Sequence, residues 1–140
     1  MVILGIDPGL AIVGYGVLEY EKSRFRVLDF GAIRTPAGMR TEDRLCKIHR
    51  GMNELIDRYR PSEMAVEELF FVKNITTGIS VAEARGVILL AAREKGLNIG
   101  EYTPMQVKQA VVGYGMAEKK QVIAMVRSFL HLGEELKLDD

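Results

Sequence analysis

The sequence has 140 residues, 48% of them hydrophobic and 27% charged, which suits one globular domain with a single core. Nineteen basic and nineteen acidic residues cancel, so the chain lacks the overall basic excess usual in nucleic-acid binders, although clustering rather than net charge decides such binding. No apolar run is long enough to span a membrane, no leader-like segment opens the chain, and Cys46 is the only cysteine; these features predict no membrane span, no signal peptide, no internal disulfide and a cytoplasmic location.

The chain opens with Val2-Ile3-Leu4-Gly5-Ile6-Asp7, an apolar run that ends in a carboxylate and reads as a buried strand. Pro8-Gly9 turns it, and Gly14 to Tyr20 reads as a second strand. Glu21-Lys22-Ser23 is a polar turn, and the loose alternation from Phe25 to Ile33 predicts a third strand. Short connections make these an antiparallel meander, which Thr35-Pro36-Ala37-Gly38 breaks. Thr41 is the expected N-cap of the next helix, with Glu42 and Asp43 in its first turn. Leu45, Ile48, Met52, Leu55, Ile56 and Tyr59 recur at helical spacing before Pro61. Cys46 and His49 on this helix read as packing or surface residues, since two such residues make no ligand set.

Glu63-Met64-Ala65-Val66-Glu67 is a second short run ending in an acid. Thr76 to Lys95 predicts a long helix stopped by Gly96, with Ala82, Ala84, Gly86, Ala91 and Ala92 spread through it. Those small residues suit close packing, either on the sheet or on a second copy of the chain. Leu97 to Tyr102 reads as a fifth strand. Helices from Pro104 to Val112 and from Ala117 to Leu132 follow, around the Gly113-Tyr114-Gly115 loop. The expected fold is therefore α/β: a five-stranded mixed sheet, three antiparallel strands then parallel ones, with helices on both faces.

Sites in such sheets lie outside the carboxyl ends of the strands, where Asp7 and Glu67 both fall. If the two strands are neighbours, the carboxylates meet. Like charges held together need a cation, and oxygen ligands suit Mg²⁺ or Mn²⁺. Two such ions serve in-line phosphoryl displacement. The motifs of other chemistries are missing: there is no Gly-x-Ser-x-Gly elbow and no Walker-type Gly-Lys-Thr/Ser. Glu67, Glu68, Asp139 and Asp140 each also read as surface charge when taken singly. Between Arg85 and Arg127 seven basic residues face three acids, and Lys108 and Lys119-Lys120 flank the glycine loop, a pattern suited to phosphate contacts or to a solvated helix face. Phe70-Phe71 follows a strand in a short loop, which leaves one ring available to stack on a base.

These residues carry a family resemblance. Ile3-Leu4-Gly5-Ile6-Asp7-Pro8-Gly9, Gly14-Tyr15-Gly16-Val17, Ala65-Val66-Glu67, Phe70 with Lys73-Asn74, Glu83-Ala84-Arg85-Gly86, Gln106-Val107-Lys108-Gln109 and Val111-Val112-Gly113 with Ala117-Glu118-Lys119 resemble the RuvC-type Holliday junction resolvases, the crossover junction endodeoxyribonucleases. The resemblance runs through essentially the whole chain in order. Gly-Ile-Asp-x-Gly alone is a weak signal, shared with actin-like ATPases and sugar kinases.

The resemblance implies an RNase H-like fold, a homodimer, and Mg²⁺-dependent paired nicking of four-way DNA junctions in recombination and repair, with two ions per subunit and Mn²⁺ as a substitute. It implies Asp7, Glu67 and Asp140 as metal ligands, with Asp139 as the less favoured choice for the third. Lys108 and Lys119 are implied beside the scissile phosphate. Phe70, Lys73, Asn74, Arg85, Lys108 and Lys119 are implied on DNA, the helix from Thr76 in the dimer, and RuvA and RuvB as partners. The family's third acid opens a helix and a fourth acid follows three residues on, whereas this sequence stops at Asp140. The expectation is a single domain over 1–140, C-terminally truncated, with a site one ligand short. Two other readings stand beside it: a junction-binding module with impaired catalysis, and a fragment of an actin-like or sugar-kinase ATPase domain.

Overall fold

The computed structural model describes residues 1–22, 24–68 and 75–103. The elements run β1 (Val2–Asp7), β2 (Ile12–Glu21), β3 (Arg24–Arg34), α1 (Thr41–Tyr59), β4 (Glu63–Glu67), α2 (Ile75–Glu94) and β5 (Asn98–Tyr102). They form one five-stranded sheet in the order β3-β2-β1-β4-β5. β1, β2 and β3 are antiparallel neighbours, and β4 and β5 add on in parallel beside β1. The mixed sheet thus matches the expected one. β2 and β3 run longer than the sequence suggests, because pairing of Ile12 with Arg34 and of Glu21 with Arg24 carries the ladder beyond both expected ends. A register shift between Val17 and Leu18 interrupts the β2–β3 pairing.

Alternation along the strands divides the molecule. Leu4 and Ile6 of β1, Val13 and Val17 of β2, and Met64 and Val66 of β4 join one buried cluster with Ile48 and Met52 of α1 and Ala84 and Ile88 of α2. Both described helices therefore cover the same face of the sheet. The intervening strand residues, among them Ile3 and Leu18, turn to the other face and pack with Tyr20 and Phe25. The helices read after Pro104 lie outside the described residues, so the second helical layer remains an expectation.

α1 buries Ile48, Met52, Leu55 and Ile56, the stripe its periodicity marks. Its N-terminus corrects one reading. Thr41 is the first helical residue rather than the cap; Arg40 occupies the cap position in extended conformation, without a side-chain cap hydrogen bond. The acids Glu42 and Asp43 still lie in the first turn, where they suit the helix dipole. At the other end Arg60 turns left-handed just before Pro61 and donates its backbone N–H to Ile56. Tyr59 Oη donates to Asp29 Oδ2 at 2.7 Å, which ties the last turn of α1 to β3. Gly51 lets α1 approach β3, since a Cβ there would sit 2.8 Å from Ile33 Cδ1.

α2 is apolar around much of its circumference. Ala84, Ile88, Ala91 and Ala92 are buried, while Ile79 and Leu90 remain 58% and 56% exposed. Gly96, at a φ of +81°, follows it and provides the turn into β5. No helix among the described residues is long and apolar enough to cross a membrane.

Candidate metal centre

β1 and β4 pair in parallel from Ile3 opposite Glu63 to Ile6 opposite Val66. The next step along each strand is Asp7 and Glu67. Both carboxylates therefore stand at the carboxyl ends of adjacent parallel strands, with backbones about 4.8 Å apart. Both are half-buried. The juxtaposition that the sequence left conditional on strand order is realised. Gly14 pairs with Asp7 on one side and Tyr102 with Glu67 on the other, so the row across the sheet is Gly14, Asp7, Glu67, Tyr102.

This row faces away from α1 and α2, because Asp7 and Glu67 are out of step with Leu4, Ile6, Met64 and Val66. Glu68 follows the last residue of β4, and its backbone N–H donates to the Tyr102 carbonyl at 2.7 Å. Two residues back on each strand lies a row that the linear sequence does not reveal: Gly16, Gly5, Ala65 and Gly100 are successive neighbours across β2, β1, β4 and β5. Among the described residues the row itself carries only the Ala65 methyl, and the Tyr102 side chain lies against its Gly100 end.

The turn after Asp7 is held from outside. Thr35, buried to 3% exposure, donates its hydroxyl to the Leu10 carbonyl at 2.6 Å and its backbone N–H to the Ala11 carbonyl at 2.9 Å. Arg44 of α1 donates in turn to the carbonyls of Thr35 and Pro36. A Cβ on Gly9 would overlap the Ile12 carbonyl, so this turn requires glycine. In the sequence, Thr35 is only part of the Thr35-Pro36-Ala37-Gly38 break between elements. Its one legible signal is a hydroxyl residue ahead of Pro36.

On the opposite face, beneath α1, Tyr15, Asp29 and Tyr59 form a hydrogen-bonded cluster. The Tyr59 phenol is raised above its ordinary value chiefly by its hydrogen bond to Asp29. Tyr15 is also raised, first by burial and then by the Asp29 carboxylate and Tyr59, against an opposing effect of Arg58.

The other expected site residues divide in two. Arg85, expected on DNA, is a half-buried residue of α2 whose guanidinium pairs with Glu101 of β5. That contact joins helix to sheet edge and competes with any role at a phosphate. Phe70, Lys73, Asn74, Lys108, Lys119, Asp139 and Asp140 lie outside the described residues. Among the described residues no three His, Cys, Asp or Glu side chains gather as a complete ligand set. The donor set is therefore Asp7 and Glu67: two hard, half-buried oxygen ligands one strand apart, a chemistry that fits a divalent cation such as Mg²⁺ or Mn²⁺ and suits neither a soft metal nor an organic cofactor.

An antiparallel three-strand meander extended by parallel strands, with an acid closing β1 and another closing β4, defines the RNase H-like nuclease class. A Thermus thermophilus RuvC structure superimposes with a TM-score of 0.76 at 39% identity, covering 94% of this chain and 81% of that one. T. thermophilus RuvC in complex with Holliday junction substrate gives 0.74 at 36% identity, covering 81% and 71%. The crossover junction endodeoxyribonuclease RuvC of Halothermothrix orenii is 56% identical over all of this chain and 85% of that protein. The family model described as crossover junction endodeoxyribonuclease RuvC matches residues 3–140, and the chain belongs to that family of metal-dependent nucleases.

Proposed function

We propose that this chain resolves four-way DNA junctions by nicking opposed strands, with Asp7 and Glu67 as the core of a site for Mg²⁺. The observation that carries the reading is the pairing of β1 with β4, which brings two strand-end carboxylates together on the face away from α1 and α2. A bound divalent ion there would supply charge neutralisation at the scissile phosphate and a more acidic attacking water. Asp7 and Glu67 would hold the cation at the carboxyl ends of β1 and β4. Thr35 and Arg44 keep the turn after Asp7 in place. We assign Asp140 as the third ligand, with two ions per subunit, and Lys108 and Lys119 as the cations beside the reacting phosphate. Phe70, Lys73 and Asn74 are assigned to DNA on the strength of the family motif, and Arg85 has that assignment only secondarily, given its pairing with Glu101.

Paired nicks need two sites, and the second comes from a second copy. Ile79, Glu83, Gly86 and Leu90 share one exposed stripe of α2 at helical spacing, and a Cβ on Gly86 would meet nothing within 4 Å. An exposed stripe with two large apolar residues and a glycine suits a close helix–helix contact in a homodimer. Cytoplasmic action alongside RuvA and RuvB follows from the same family reading.

The test is incubation of the chain with a synthetic four-way junction and Mg²⁺, next to a linear duplex of the same sequence. The reading predicts tight binding of the junction alone and metal-dependent nicks placed symmetrically on two opposed strands. Equal affinity for both DNAs would overturn it.

A further inference from the structure

We propose that the groove where α1 meets the edge strand β3 is a second DNA-backbone contact, which takes the phosphates of a duplex arm leaving the catalytic end of the sheet. The groove has a volume of about 560 Å³. Arg34 of β3 and Lys47, Arg50 and Arg58 of α1 line it, against one carboxylate, Glu54. All five are exposed. Arg34, Lys47 and Arg50 form no ion pair among the described residues, whereas Arg26, Arg40, Arg85 and Lys95 each have a carboxylate partner. Three available cations around one cleft carry a local potential that the neutral composition of the chain conceals.

A polyanion is the matching ligand, and the position of the groove selects DNA over an acidic peptide. Ala32, in its strand wall, pairs with Gly14, which pairs with Asp7, so the backbone of the wall is two strands, roughly 10 Å, from that of Asp7; the groove opens on the α1 side and the carboxylate on the other, so a duplex arm reaches it around the β3 edge. Lys47, Arg50, Glu54 and Arg58 follow one another at intervals of three and four residues and form a stripe along α1. From Lys47 to Arg58 the stripe covers about 16 Å of helix, a length of about five nucleotide steps along one strand. Tyr15 and Leu55 also line the cleft. Such a contact adds affinity for the arms of the junction and reads no sequence.

The inference rests on the junction-resolving reading and is tested separately from it. Binding of short-armed and long-armed four-way junctions is measured by fluorescence anisotropy over a range of salt, without Mg²⁺ so that nothing is cut. The double variant Lys47→Glu/Arg50→Glu should bind the long-armed junction roughly tenfold more weakly, with a salt slope shallower by about two, and the short-armed junction as the unaltered chain does. Glu54→Gln should tighten long-arm binding. Should the charge reversals unfold the chain, as circular dichroism would show, Lys47→Gln/Arg50→Gln carries the same comparison with a smaller loss. Long-arm affinity and salt slope unchanged in the folded variants would remove the groove while leaving junction resolution intact. Loss of polyglutamate binding with DNA binding unchanged would assign the groove to an acidic peptide and overturn the proposal. Failure of the unaltered chain to prefer junctions over linear duplex would overturn both readings together.

Discussion

Asp7 shows how far single residues could be read from the sequence. An apolar run that ends in an acid before Pro8-Gly9 places that acid at a strand end, and the structure puts it there. Glu67 was legible for the same reason. Thr35 was not, because its contribution depends on reaching Leu10 and Ala11 across the chain. Thr35→Val keeps the shape but removes the hydroxyl from the Leu10 carbonyl, and should cost about 1–2 kcal/mol in a urea melt. It should also lower the cleavage rate through the turn after Asp7, and a melt and rate equal to those of the unaltered chain would show that the hydroxyl holds nothing. The tyrosines predict a pH effect. Tyr15 and Tyr59 hold their protons more tightly in the folded chain than their ordinary value of 10.0 allows. The unfolded chain therefore releases those protons first as pH rises. The stability they contribute is complete below that value and is lost as pH climbs through the raised native values. Tyr59→Phe should flatten this alkaline limb in melts recorded across the range, and an identical limb would exclude Tyr59 as its source.

Elements were easier to recognise than their neighbours. Periodicity marked the buried stripe of α1, and the acid-terminated run marked β4, but neither reveals that β4 lies beside β1. That adjacency, and the Gly16-Gly5-Ala65-Gly100 row it creates, comes from strand order and exists only between elements. The role of Arg85 was hidden for the same reason, since its partner Glu101 is on another element. The small residues of α2 suited either packing on the sheet or a contact with a second copy; Ala84, Ala91 and Ala92 are buried against the core, and the exposed Gly86 belongs to the stripe proposed for the second copy. Leu90→Glu should shift the chain from dimer to monomer in analytical ultracentrifugation with its helical content retained, and a persistent dimer would place the interface elsewhere. The basic stripe of α1 was not read from the sequence, because its meaning needs β3, which supplies Arg34 and the other wall of the groove.

At the scale of the whole molecule, the described residues form a sheet with two unlike faces. One is sealed by α1 and α2 and holds the large apolar cluster. The other presents the carboxylates above a row of glycine and alanine. Met52→Ala, in the sealed core, should cost about 2–5 kcal/mol and would lower cleavage only by unfolding the chain. Substitutions at the carboxylate row should do the reverse. The most direct test is therefore nick mapping on an end-labelled four-way junction with Mg²⁺, using Asp7→Asn and Glu67→Gln, with junction affinity and thermal melting measured on the same preparations. The account predicts that both variants stay folded, bind the junction and make no nicks. Nicking at the unaltered rate by either variant would contradict the assignment of these two carboxylates to the metal site.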